Sequence, residues 1–353
     1  MDRGQRCTLR PRHCLISFRI EPVPLPLAPS PALDCSGHRK ESTSHVKIMN
    51  AARPLAVWHL ASLDAPTVAV VWSLAFAWAG QIHLRLWVPL LLALATWSVY
   101  VCDRLLDARA SLRSPARHVL RERHHFHWRH RHILLLLAAA AACTAAAIVL
   151  VLIPPMARER DSVLAAAALA YFSGVHSRRS PWPSALKFPR LFSGKEFLVG
   201  TLFTAGCVLP AWPLDHASGT EHSLLWTFWI PAVYFVALAW LNCSCIARWE
   251  AANAVNAAPR EPSRGRISRL LQLQSARFCA AALLALAGGL LATIASGAHP
   301  RAAALLAAGA LSALLLALLD SVRTRMTPLA LRALADLVLL TPLLLAPLGR
   351  FLG

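Results

Sequence analysis

Asp103 and Asp107 stand four residues apart where a long apolar run gives way to a series of arginines. On a helix that spacing sets both carboxylates on one face, about one turn apart. Two like charges so close repel unless a cation or a basic side chain neutralises them. One outcome is a pair of interfacial acids bridged to Arg104, Arg109 or Arg113. The other is a divalent cation site. Mg2+ takes one or two protein carboxylates and fills its shell with phosphate oxygens and water. Nearby arginines would then hold the remainder of a diphosphate, bidentately where geometry allows.

His118, His124, His125, His127, His130 and His132 form a second conspicuous group. Such density fits a transition-metal site. Interleaved with Arg121, Arg123, Arg129 and Arg131, it reads better as an interfacial helix facing anionic headgroups. Asp336 lies inside an apolar run, where a carboxylate is expected to pair with a neighbouring helix. Of nine cysteines, Cys102, Cys143, Cys207, Cys243, Cys245 and Cys279 fall in or beside apolar runs and read as buried small hydrophobes.

These residues need elements to hold them, and composition dictates which. The chain has 353 residues, 57% of them apolar and 15% charged, against about 25% charged in an average soluble domain. Apolar runs of about 20 residues recur, long enough as helices to cross a hydrocarbon core of about 30 Å. Nine spans are expected, at 65–82, 84–102, 133–153, 162–176, 196–213, 224–246, 276–297, 301–319 and 329–348. The fold class is therefore all-α, a polytopic membrane bundle. Continuous Ala- and Leu-rich runs exclude a β-barrel, whose strands alternate. Every second loop is basic, which by the positive-inside rule sets the amino terminus and those loops in the cytoplasm and the carboxyl terminus outside. The expected location is a bacterial inner membrane. Topology thus absorbs much of the net charge of +19, and no nucleic-acid partner is expected. Residues 1–48 differ from the rest: Pro22, Pro24, Pro26, Pro29 and Pro31 fall within ten residues among polar neighbours. Such a leader cannot pack a core, and it lacks the apolar stretch of a signal peptide. Met49 is the expected start of the helical domain, 49–353.

Nine helices, basic loops after spans two and six, and Asp103-Arg104-Leu105-Leu106-Asp107 ahead of Arg113 and Arg117 resemble the UbiA-type intramembrane prenyltransferases. Asp64-Ala65-Pro66 at the start of span one, and Pro183 to Lys187 leading into Lys195, Glu196 and Gly200, are similar to further features of that family. The resemblance implies Mg2+ held by two acidic motifs, a bound prenyl diphosphate and transfer of its prenyl chain to an acceptor. Two registers are open for the first motif. Asp103 and Asp107 match either its last two acids, leaving Val99 and Tyr100 for its Asn-Asp start, or its Asn and second Asp, leaving Ser111 for the last acid, and either way the motif is incomplete. Where the second motif belongs, only Asn242 and Glu250 offer oxygen ligands. They lie eight residues apart, on one helix face but about two turns distant. The implied assignment is Asp103 and Asp107 as catalytic residues and metal ligands, Glu250 as third ligand, and Arg117, Lys187, Lys195 and Asn242 as substrate contacts.

Three functions follow from these readings: a prenyltransferase-like protein acting on a prenyl diphosphate with membrane lipid around it, a non-catalytic bundle that binds an isoprenoid lipid or a partner, and a secondary transporter. The last has less behind it, because no internal repeat or matched pair of broken helices is visible.

Overall fold

The computed structural model describes residues 54–113, 122–176, 195–212, 224–257 and 264–345. Eleven α-helices run through them, and no strand occurs among the described residues. Helix α1 (Pro54–Leu60) meets α2 (Asp64–Ala79) at 91°. Then come α3 (Trp87–Arg113), α4 (Glu122–Arg129), α5 (Arg131–Leu152), α6 (Pro155–His176) and α7 (Lys195–Val208). A π-helical turn, Leu225–Trp229, leads into α8 (Ile230–Ala257). The rest is α9 (Arg264–Ala295), α10 (Pro300–Val322), α11 (Pro328–Leu337) and a 3-10 stretch, Val338–Leu345.

Local chemistry sets several of these boundaries. Thr327 caps α11, its hydroxyl accepting from the Ala330 amide at 3.3 Å, and Pro328 follows at the first helical position, where its missing N–H is no loss. Pro342 lies inside the 3-10 stretch and offers no N–H to the Leu339 carbonyl three residues back. The Trp72 indole supplies the missing donor, at 2.8 Å.

Apolar residues lie on the outside of this bundle as readily as on the inside. On α5, Ile133, Leu135, Leu136, Leu150 and Val151 are exposed, while Ala138, Ala141 and Ala145 are buried. Small residues inward and large ones outward are what a helix needs when its solvent is hydrocarbon, because close packing replaces hydrophobic burial as the force between helices. The same logic brings α8, α9 and α10 together. A Cβ at Gly288 would stand 2.5 Å from the Tyr234 hydroxyl and one at Gly309 2.7 Å from its ring, so only glycine lets Tyr234 lie there and donate to the Leu284 carbonyl. The protein is an integral membrane protein.

Its count of spans is lower than the sequence reading of nine. Each of the nine apolar runs falls largely on a helix where its residues are described, yet six helices among the described residues are long and apolar enough to cross, or seven if α1 and α2 form one bent span. Helix α7 has 14 residues, about 21 Å, and α6 carries Arg158, Glu159, Arg160 and Asp161 in its first turns. Helix α2 has 16 residues and reaches the required length only together with α1. The cysteine reading needs one change as well: Cys207 and Cys245 are buried, but Cys143 and Cys279 face outward. The leader, 1–48, lies outside the described residues.

Two of the three apolar clusters among the described residues join α2, α8, α10 and α11. In one, Trp72 and Phe76 of α2 meet Phe235 and Leu238 of α8, Leu305 of α10 and Leu339. In the other, Leu241 and Trp249 of α8 meet Leu316 of α10 and Leu331 and Ala335 of α11. Helices α2, α8 and α11 are thereby locked together, and the polar residues at their ends are brought to one place.

Candidate functional site

The bend between α1 and α2 is the first element of the site. Ser62 at the corner has φ 60, a left-handed conformation that is costly for a residue with a Cβ. Strain of this kind persists only where the surroundings over-determine it, as they do at binding sites. The bend turns His59 of α1 back over Asp64, the first residue of α2, and both are fully buried. Asp64 sits at a helix N-terminus, where the macrodipole favours its negative charge, and its Oδ1 accepts from the Ala65 amide at 3.0 Å.

Four further helices close around this pair. His59 Nδ1 lies 2.6 Å from Asp64 Oδ2 and 3.8 Å from Asp336 Oδ2 of α11, yet neither ring nitrogen completes a directed hydrogen bond. Arg104 of α3 is 3% exposed; its Nη2 lies 3.4 Å from Asp64 Oδ2 and donates to the Tyr100 hydroxyl at 2.8 Å. Asn242 of α8 donates to Asp336 Oδ1 at 3.2 Å. At the rim, Arg332 of α11 donates to Glu250 of α8, and Arg123 of α4 lies 3.4 Å from the same carboxylate oxygen. Three guanidiniums thus face three carboxylates. The match is incomplete: Arg104 Nη1, Arg332 Nε, Asp336 Oδ2 and Asn242 Oδ1 are buried without a hydrogen-bond partner. Orphaned polar atoms cost about 1–3 kcal/mol each in a closed interior, so a cluster of them marks a place that receives a ligand or water.

Helix α4 lids this centre. The histidine-rich stretch does not present itself only to headgroups: Arg123, His124 and His127 are turned inward, while His125 and Arg129 are exposed. His127 donates through Nδ1 to the Arg123 carbonyl at 2.8 Å, and its Nε2 accepts from Ser62 at 3.0 Å. The neutral ring satisfies both contacts when the Ser62 hydroxyl donates to Nε2. Burial pushes its pKa down from 6.5 to about 4, helped by Arg104 and Arg123 and opposed by its carbonyl hydrogen bond and Asp64. Because the folded-state value is the lower one, the stability this ring confers is complete above pH 6.5 and is lost as pH falls from 6.5 towards 4. A denaturation series across that window is expected to show falling stability in the wild-type protein and a flatter profile in His127→Gln. Identical slopes would contradict the assignment.

The residues nominated from sequence are only partly drawn into this centre. Asn242 is buried within it, and Glu250 forms its rim. Asp107 is exposed, and Asp103 is half-buried on a different face of α3 from Arg104. Lys195 is exposed at the start of α7, and Arg117 and Lys187 lie outside the described residues. Asp103, Asp107 and Glu250 therefore do not converge as a ligand set, and Glu250 is already engaged by two guanidiniums. Among the described residues one group of three potential ligands does converge, His59, Asp64 and Asp336, with their ligating atoms all within 4.8 Å of one another. It fits Mg2+ poorly. One donor is nitrogen, whereas Mg2+ prefers an octahedron of oxygens, and Arg104 holds the charge position 3.4 Å from Asp64 Oδ2 that a divalent ion would need.

Sequence reasoning missed His59, Arg104 as a centre in its own right, and Arg332. A signal existed for Arg104: with Trp97, Val101 and Ala108 it makes an i, i+4, i+7, i+11 stripe, the inward face of α3. Asp336 does pair with a neighbouring helix, through Asn242. Trp249, beside Glu250, is buried and donates to Asp320 at 2.7 Å. No protein-family model, characterised protein or solved structure matches the chain, so its function has to be argued from these residues.

Proposed function

We propose that the protein is an intramembrane, prenyltransferase-like protein that receives the diphosphate head of an isoprenoid lipid at the centre formed by His59, Asp64, Arg104, Arg332 and Asp336. One observation carries the reading: buried donor atoms on Arg104 and Arg332 and buried acceptor atoms on Asp336 and Asn242, from three helices, lack partners at one end of an apolar bundle. A ligand suited to them has anionic oxygens, a proton to share and a long apolar body. The basic-loop end, by the positive-inside rule, faces the cytoplasm of a bacterial inner membrane.

In the reaction, the allylic carbon–oxygen bond breaks and its electron pair leaves with the diphosphate. Arg104 and Arg332 stabilise the leaving group through charge-assisted hydrogen bonds. An acceptor attacks the allylic cation, and the proton it releases passes to His59, whose imidazolium Asp64 stabilises. The apolar clusters exclude water, which would otherwise capture the cation. Because neither ligand set fits Mg2+, no step is routed through it.

A second reading has its own support. Three guanidiniums balance Asp64, Asp336 and Glu250, which leaves little net attraction for a diphosphate and favours a non-catalytic site for a neutral isoprenoid lipid. Pyrophosphate release from C10 to C20 allylic diphosphates, by purified protein in lipid nanodiscs with and without Mg2+, separates the two. The first reading expects release that falls about 100-fold in Arg332→Met. Binding of the prenyl lipid without release favours the second, and neither binding nor release overturns both.

A further inference from the structure

We propose that Glu250 is an internal stand-in for the anionic head: it holds Arg123 and Arg332 until a diphosphate takes them over, and so sets how strongly the centre prefers an anionic head to a neutral one. The inference rests on the diphosphate reading above and adds the exchange by which that head gains its guanidiniums. Glu250 stands at the rim on α8, its side chain 25% exposed. One of its oxygens, Oε1, serves two helices at once. Arg332 of α11 donates to it, and Nη2 of Arg123 of α4 lies 3.4 Å from it.

Charge makes the exchange necessary. Three guanidiniums set against Asp64, Asp336 and Glu250 sum to neutrality, so a head that merely joined the set would meet no net attraction. A head that takes the place of Glu250 meets two guanidiniums instead. Chemistry makes the exchange favourable. A diphosphate carries more charge than a carboxylate and offers several terminal oxygens, which arginine pairs with bidentately. Arg332 also keeps a buried Nε that finds no hydrogen-bond partner while Glu250 holds the guanidinium, and a phosphate oxygen would satisfy it. Helix α4 need not leave for this to happen. Phe126 packs its middle against Val101, Leu134 and Ala138, and Ser62 holds His127. Only the Arg123 end is tied to Glu250, so a swing of that side chain beneath the lid carries it from carboxylate to head.

Isothermal titration of the full chain in lipid nanodiscs with farnesyl diphosphate and with farnesol tests the assignment. Glu250→Gln keeps the shape and removes the charge, and is expected to bind farnesyl diphosphate about 10-fold more tightly, with no such gain for farnesol. Arg123→Met breaks the same ion pair from its other side and is expected to bind farnesyl diphosphate about 10-fold less tightly. Opposite signs from the two partners of one ion pair are what exchange requires, whereas a purely structural pair makes both variants behave alike. Glu250→Ala should match Glu250→Gln and replaces it if that variant does not fold. Losses of the same sign in the Glu250 and Arg123 variants overturn the proposal, as does an equal gain for farnesol. Farnesyl diphosphate bound equally by wild-type protein and Glu250→Gln overturns the proposal alone. Wild-type protein that takes no farnesyl diphosphate removes the reading beneath it as well.

Discussion

Arg104→Met is expected to destabilise the protein by about 3–5 kcal/mol, the usual consequence of stranding a buried charge. Asp64 is fully buried, and Arg104 is the guanidinium beside it. Methionine fills similar space on α3 but leaves the carboxylate with His59 and the Ala65 amide, without a guanidinium, while the carboxylate of Asp336 stands nearby. The Tyr100 hydroxyl loses its donor as well, and its ring loses the guanidinium now 4.5 Å from its centroid. Two partners are thus orphaned by one change. Adding Asp64→Asn to Arg104→Met removes the stranded charge and is expected to recover a large share of the loss. That non-additivity is the signature of a direct pair. Denaturant titration of the two single variants and the double variant in detergent micelles measures it. Additive losses would mean that Arg104 acts through packing alone.

The helices were legible because an intrahelical hydrogen bond is local and hydrocarbon leaves the backbone no alternative. Each expected span falls on a helix, down to the run that became α7. How many of them cross was not legible, since crossing requires length and freedom from charge together. Helix α6 fails on Arg158 to Asp161 and α7 on its 14 residues. The site was legible in type and not in members. The acids at the basic ends of apolar runs include Glu250, which with Asn242 belongs to the polar centre. Spacing put Asp103 and Asp107 on one face, but it could not say which face of α3 turns inward. Packing gave that face to Trp97, Val101, Arg104 and Ala108. His59 was hidden for a different reason. Its partners lie across a 91° bend and on the last α-helix, and no periodicity reaches either.

Trp72→Ala is expected to cost about 3 kcal/mol, the lower end for a large aromatic in a packed core. The lower end applies because the ring moves from protein to a hydrocarbon-like reference, so the loss is one of contact and hydrogen bonding more than of transfer from water. Trp72 is 1% exposed and stacks on Phe235 of α8 with ring centroids 3.8 Å apart. Its indole N–H is the donor that replaces the one Pro342 lacks. Trp72→Phe keeps most of the stack and removes only that bond, so it should cost about 1 kcal/mol. The ratio of the two losses divides packing from hydrogen bonding. Trp72 also lies eight residues from Asp64 on α2, about 12 Å away, and fixes the register of α2 against α8 and the last 3-10 stretch. Loosening it should move Asp64 relative to Asp336 without touching either. If the centre works as proposed, Trp72→Ala therefore weakens prenyl lipid binding as well as stability, whereas Trp72→Phe leaves binding near the wild-type level. Stability lost with binding intact would show that the centre holds its geometry through α1, α3 and α4 alone.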